Sequence, residues 1–467
     1  MKKRTRKSLS GRLKKKIRSV FRLIALAAGI PAAALIGAVA CLSLSLPDTY
    51  YLEDPYALRL SQYRILTPVS EAEESVPVLL GASPPKADTP DDAPDNQPDT
   101  QPDTQPDGEK TAANAETVRY TLMLGGKIPV KQVSAVQSDT RYVIPSGSVF
   151  GLKMLTEGAI VSSLAPVESV SGAKCPAKDA GLQAGDIILT ANGEAVLSFD
   201  LLSSIIQTAG ENGGEVTLTY SRGGKTHTTA LTPVDTGDGK WLAGIWVRDS
   251  SAGIGTITFY EPVSGCFAAL GHGVCDADTG VLLPLQWGKV CGAAILGVDR
   301  GIPGTPGELK GAFLDSAFTL SRLLGKDGVI SSGTVLDNLS CGLIVRAEGI
   351  TGSFPDDALT AVAPRQEVHT GEAKILSTIG GTKPQLFDAQ IEKVSYSEED
   401  FSRNMVIRIT DPELIAATGG IVQGMSGSPI LQNDRLVGAV THVFVGDPER
   451  GYGIFAETML DNLLKYS

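Results

Sequence analysis

The first apolar segment, residues 23–46, reads LIALAAGIPAAALIGAVACLSLSL, 24 positions without a charge. A bilayer core takes about 20 apolar residues as a helix, and Pro31 does not forbid spanning, so the run predicts a transmembrane anchor. The apolar core of a cleavable signal peptide is shorter, about 7–15 residues, which favours an uncleaved anchor. From about residue 118 the apolar positions fall into short runs of β character: Tyr120–Leu124, Gln132–Val136, Ser148–Leu152 and Ile160–Leu164. Ala180–Glu194 predicts a small helical turn, a Gly185-Asp186 turn, a buried strand and an Asn192-Gly193 hairpin turn. Ser203–Thr208 supplies one apolar helical face, and Glu215–Tyr220 with His227–Leu231 alternate as a hairpin around Ser221–Lys225. Residues 245–467 are glycine-rich and strand-like, with few helical periods.

Charge separates what the pattern alone leaves joined. The formal net charge is −11, yet residues 1–22 hold eleven Lys/Arg and no acid, so the other 445 residues carry −22. Cations directly before an apolar span place that end in the cytoplasm and the remainder outside. An acidic body argues against nucleic-acid binding, which needs clustered Lys/Arg on the folded part. Residues 82–110 hold seven Pro and eight Asp/Glu, and proline with self-repelling charge keeps such a chain extended. Six scattered cysteines do not make a disulfide scaffold. The organisation expected is a basic stub at 1–22, an anchor at 23–46, a linker at 47–117 that is acidic and proline-rich at 82–110, and two folded domains at 118–235 and 245–467.

The candidate chemistry lies in two glycine-flanked segments, Gly271-His272-Gly273 and Gly419-Gly420-Ile421-Val422-Gln423-Gly424-Met425-Ser426-Gly427-Ser428-Pro429. A nucleophilic serine needs an exposed Oγ on a tight turn, with backbone N–H groups converging on one spot. Glycines around Ser426 permit such a turn. Of the four histidines, His272 sits between two glycines after an apolar strand and suits a general base. His442 reads as a core or pocket-wall histidine on an apolar strand, His227 lies on an exposed strand, and His369 follows a polar stretch. For the residue that would orient the base, Asp411, Asp276 and Asp315 all satisfy the order His…Asp…Ser. Cys266, His272 and Cys275 do not have the compact four-ligand spacing of a structural zinc site. Neither a metal nor a cofactor is expected.

Residues 118–235 resemble a PDZ domain of the bacterial protease-associated type, on the block Ala180–Glu194. The resemblance implies a groove that takes an extended peptide by strand addition, with Ser148, Val149, Phe150, Gly151 and Leu152 as its carboxylate-binding loop. Residues 118–467 together resemble the stage IV sporulation protein B peptidase family, on Gly271-His272-Gly273, Asp411-Pro412, Gly419–Pro429 and Val440-Thr441-His442-Val443-Phe444-Val445. That resemblance implies a mainly β protein with minor α content: an N-terminal transmembrane helix, a PDZ-like domain and a chymotrypsin-like double β-barrel. It implies a serine endopeptidase with Ser426 as nucleophile, His272 as base, Asp411 as acid, and the N–H groups of Gly424 and Ser426 as oxyanion hole. The family acts between the two membranes around the forespore. It cuts a membrane-associated regulatory protein, cleaves itself near its N-terminus, and so leads to activation of a late sigma factor. The alternative is a non-catalytic PDZ scaffold that binds the tails of membrane proteins.

Overall fold

The computed structural model describes residues 35–43, 46–52, 54–60, 63, 65–70, 117–314, 318–319, 329–351, 358–396 and 401–466. Most of the expected anchor and the whole proline-rich stretch lie outside the described residues. Residues 35–43 are helical. Among the described residues no helix is long and apolar enough to cross a membrane.

The chain divides into two compact units. In the first, four strands form one sheet in the order Thr49–Leu52, Ile128–Gln137, Thr117–Leu124, Leu66–Ser70. Its buried side is the alternating set Val118, Tyr120, Leu122, Val133 and Ala135. Residues 49–52, 66–70 and 117 were expected in a linker and 118–137 in the PDZ-like domain. Strand pairing puts them together instead, because alternation marks a half-buried strand without naming its partner.

The second unit holds two barrels and the PDZ-like segment. Its large sheet runs through Val149–Leu164, Leu285–Asp299, Ser332–Leu339, Gly342–Glu348, Cys266–Ala269 and Ile245–Glu261, and the last strand pairs back onto the first. This ring is the first barrel, filled by Phe150, Met154, Ile257, Phe267, Leu343 and Val345. Gly371–Ser377, Gln385–Val394, Met405–Ile409, Asp447–Phe455, Arg435–Phe444 and Pro429–Gln432 close the second barrel, around Ile375, Ile391, Ile407, Ile430, Val440 and Phe455. The mainly β, double-barrel architecture expected from the sequence is therefore present.

The PDZ-like segment is set into the first barrel. Val149–Leu164 and Ile245–Glu261 pair from Leu164↔Ile245 to Val149↔Thr256, with bulges at two points. Their outer ends serve the PDZ-like sheet, where Ala159–Ile160 pairs with Ile187–Ile188. Val216–Arg222 and Lys225–Leu231 form the expected hairpin, turned by Gly223-Gly224 with φ of 55° and 76°, as a tight hairpin requires. The Gly185-Asp186 turn gains a second purpose. Buried Asp186 accepts from Gln183 N at 2.8 Å and from Arg222 Nε and Nη2 at 2.6 and 2.7 Å, tying turn to strand. The expected helical face extends to Phe199–Glu211, capped by Ser198 Oγ accepting from Leu201 N.

Candidate active site

Ser426 sits in a loop of the second barrel between the helix Pro412–Thr418 and the strand Pro429–Gln432. The loop is held by its carbonyls: Thr256 Oγ1 donates to Gly424 O and Thr258 Oγ1 to Gly427 O, both at 2.8 Å. Met425 N donates to Val422 O, Gly427 N to Val440 O and Ser428 N to Met425 O. Among the described residues the N–H groups of Gly424 and Ser426 donate to no protein acceptor. Two such donors, one on the serine and one two residues before it, are what a developing oxyanion needs. The Ser426 hydroxyl donates to Thr441 O at 2.7 Å.

His272 comes from the first barrel, just after the strand Cys266–Ala269. The chain turns there through Leu270 and Gly271, with φ of 69° and 70°. A positive φ is costly for leucine, so this turn is kept by its surroundings. Gly427 has a φ of 95°, and a Cβ on it would stand 2.1 Å from Thr256 O and 2.6 Å from Leu270 N. Only glycine lets the serine loop lie against the histidine loop that closely. His272 Nδ1 is 2.9 Å from Gly273 O. A carbonyl only accepts, so Nδ1 carries the proton and Nε2 keeps its lone pair. Burial of the ring pushes its pKa below the ordinary histidine value, which keeps the base form available.

Residues 239–460 match the family model of the SpoIVB peptidase S55, and residues 169–222 match that of a PDZ domain. The chain carries a PDZ domain and an S55 serine peptidase domain. A stretch of 71 residues is 44% identical to the "Probable periplasmic serine protease do/HhoA-like" of Haemophilus influenzae, covering 15% of this chain and 14% of that protein. Similar solved structures include the PDZ domain of the SdrC-like protein (Lmo2051) from Listeria monocytogenes, with 25% identity and a TM-score of 0.16 over 20% of this chain and 87% of that one. The active form of the Rv3671c protease from M. tuberculosis shows 14% identity and a TM-score of 0.24, over 46% of this chain and 74% of that one.

The structure does not bring every expected residue to the S55 site. Asp411 is the N-cap of Pro412–Thr418: its carboxylate accepts from Glu413 N at 2.9 Å, Leu414 N at 3.1 Å and Asp388 N at 3.2 Å. It makes no contact with His272, so its assignment as triad acid is corrected to helix cap. Asp276 is turned into its own loop, accepting from Thr279 N and Oγ1, and is paired with Arg248 Nε at 2.9 Å. Asp315 lies outside the described residues. Cys266 is buried in a strand, and the Cys275 thiol donates to Gly273 O. Among the described residues no group of His, Cys, Asp and Glu is arranged to hold a metal ion. His227 stacks on Tyr220 and is exposed, while His369 is half-buried.

His442, expected in a core or pocket wall, is exposed, and its ring lies 4.8 Å from that of His272 at an interplanar angle of 35°. It is the residue that sequence reasoning missed as a neighbour of the base. A polar Thr-His pair interrupting the apolar run Leu436–Val440 was the available signal.

The PDZ groove also moves. Val149, Phe150, Gly151 and Leu152 are buried in a barrel strand paired on both sides, with 250–256 and with 285–292. With no free edge they cannot receive a peptide, and the assignment as carboxylate loop is corrected. The PDZ domain instead has a cleft of about 500 Å³ between the helix Phe199–Glu211 and residues 241–247. Phe199, Leu202 and Ile206 line one side, and Leu242, Ile245 and Trp246 the other. Residues 245–248 pair with 160–164 along one edge only among the described strands, and Gly244 has a φ of 72°. A free strand edge facing a helix across an apolar trough is the geometry that accepts an added peptide strand.

Proposed function

We propose that the chain is a membrane-anchored serine endopeptidase of sporulation signalling. In this reading its N-terminus is cytoplasmic and its catalytic domain acts in the space between mother cell and forespore. It cuts a membrane-associated regulatory protein, cleaves itself near its own N-terminus, and so leads to activation of a late sigma factor. The observation that carries the catalytic part is the close approach of the Ser426 loop, whose Gly424 and Ser426 N–H groups have no protein acceptor among the described residues, to the loop that carries His272 across the two barrels. It lies inside the segment matched by the SpoIVB peptidase model. In the reaction the Ser426 hydroxyl leaves Thr441 O, attacks the scissile carbonyl and gives its proton to His272 Nε2. Gly424 and Ser426 N–H hold the oxyanion, and His272 returns the proton to the leaving amine. The PDZ cleft would hold an extended segment of the substrate. The charged head and the 24-residue apolar run support the anchor.

Fluorophosphonate labelling of the full chain tests the chemistry: Ser426 is expected to label, and Ser426→Ala and His272→Ala to lose it. A wild-type chain that does not label would refute the reading, as would a Ser426→Ala chain that still cuts a membrane partner. Sequencing the new N-terminus after expression tests self-cleavage within 47–117.

A further inference from the structure

Among the described residues no carboxylate reaches His272, and the only acceptor on its Nδ1 is the Gly273 carbonyl one residue away. A ring held by one local hydrogen bond can still tilt about its side-chain torsions. Its ring lies beside that of His442, and the fold sets the direction of that second ring. In the pairing of Arg435–Phe444 with Asp447–Phe455, Val440 faces Gly453 and Val443 faces Gly451, so one extra residue is taken up by a bulge at Thr441-His442. Bulges re-aim side chains beside functional sites. Here Val440 and Thr441 stay buried while His442 comes out of the barrel. The bulge is pinned on both sides: Thr441 Oγ1 donates to Ser402 O at 2.8 Å, and Thr441 O accepts from Ser426 Oγ. Gly451 packs against the His442 carbonyl, where a Cβ would stand 2.4 Å away.

We infer that His442 is a positioning residue of the catalytic centre, its ring lying against His272 and keeping the general base in line with Ser426, the part an orienting carboxylate plays in other serine peptidases. The inference rests on the proposed roles of His272 and Ser426. Charged groups on the surrounding elements are engaged elsewhere. Asp276 is held by Arg248, Arg435 by Glu367, and Arg450 by Glu392 and Asp447. Arg408 reaches Glu449, and the Arg403 guanidinium lies over the Tyr452 ring. Cys275 is a further titratable neighbour, and burial with nearby Asp276 pushes its thiol up. The serine loop, residues 419–428, has no ionisable side chain other than hydroxyls.

The test is the rate of fluorophosphonate labelling of Ser426 in the full chain across pH, for wild type, His442→Ala and His442→Phe. A loosened base costs about 10²-fold in rate, so that loss is expected for His442→Ala, in the maximal rate rather than in the probe concentration giving half of it. His442→Phe restores most of it, because the flat ring remains. His442 is exposed, so neither variant threatens folding. The inference is overturned if His442→Ala labels at the wild-type rate with the wild-type pH profile while His272→Ala does not label. It is also overturned if His442→Phe is as slow as His442→Ala, or if only the half-saturating concentration moves. A wild-type chain that fails to label would overturn the proposed function instead.

Discussion

Replacing Asp411 separates two roles that a single alanine variant would confuse. As a cap, Asp411 supplies acceptors to Glu413 N and Leu414 N at 2.9 and 3.1 Å. Pro412 occupies the first helical position, and the helix ends in left-handed Gly419, from which the serine loop starts. Removing a cap of this kind costs about 1 kcal/mol, in a range of roughly 0.5–2. Asparagine caps about as well as aspartate, so Asp411→Asn is expected to leave stability nearly unchanged and Ser426 labelling within a few-fold of wild type. Asp411→Ala should lower urea-unfolding stability by about 1–2 kcal/mol, with a modest loss of labelling as the helix feeding the loop frays. An aspartate that orients a catalytic histidine behaves in the opposite way: its asparagine variant loses about 10⁴-fold in rate while the fold is intact. Urea unfolding and labelling kinetics on both variants decide between the roles. A loss of 10³-fold or more in Asp411→Asn, with the wild-type unfolding midpoint, would show that Asp411 reaches His272 in the working enzyme and that the cap reading is wrong.

Gly427→Ala tests the contact between the two loops. A left-handed alanine costs about 1–2 kcal/mol and overpacking adds about 1–3, so a destabilisation of about 2–5 kcal/mol with near-complete loss of labelling is expected. A stable, fully labelled variant would show that the loops are farther apart. In the PDZ cleft, Trp246 is 66% exposed, so Trp246→Ser should leave unfolding unchanged. If its ring anchors ligands, loss of about 2 kcal/mol weakens fluorescent apolar-ended peptides about 30-fold; unchanged anisotropy curves would exclude this wall.

The chemistry was legible where it was local. Gly427 and Gly273 mark backbone that approaches other backbone closely, and Gly424 and Gly271 take the left-handed φ of 95° and 70° that the two facing loops require. Asp411-Pro412-Glu413 was legible too, but as something else. An Asp followed by Pro at the first helical position and an acid in the first turn is a helix start, and its placement near the serine made it look like a triad member. What the sequence could not carry was long-range. Which aromatic or carboxylate faces His272 depends on a bulge at Thr441-His442, and a bulge is a mismatch between two strands, invisible in either one.

The domain boundary failed for a related reason. Val149–Leu164 has 16 residues and Ile245–Glu261 has 17, and each passes from barrel to PDZ domain without a break in β character. A composition shift marks a boundary only where the chain leaves one core before entering another. Here the same strand leaves and enters at once: Ile245 and Trp246 line the PDZ cleft, while Thr256 and Thr258 hold the carbonyls of Gly424 and Gly427 beside the nucleophile. Residues 118–235 therefore omit one wall of the peptide cleft, and residues 245–467 omit the barrel strand Val149–Leu164, on which the strand carrying Thr256 and Thr258 closes. The PDZ domain is an insertion within the peptidase, and the second strand of the insertion is the one that supports the serine loop.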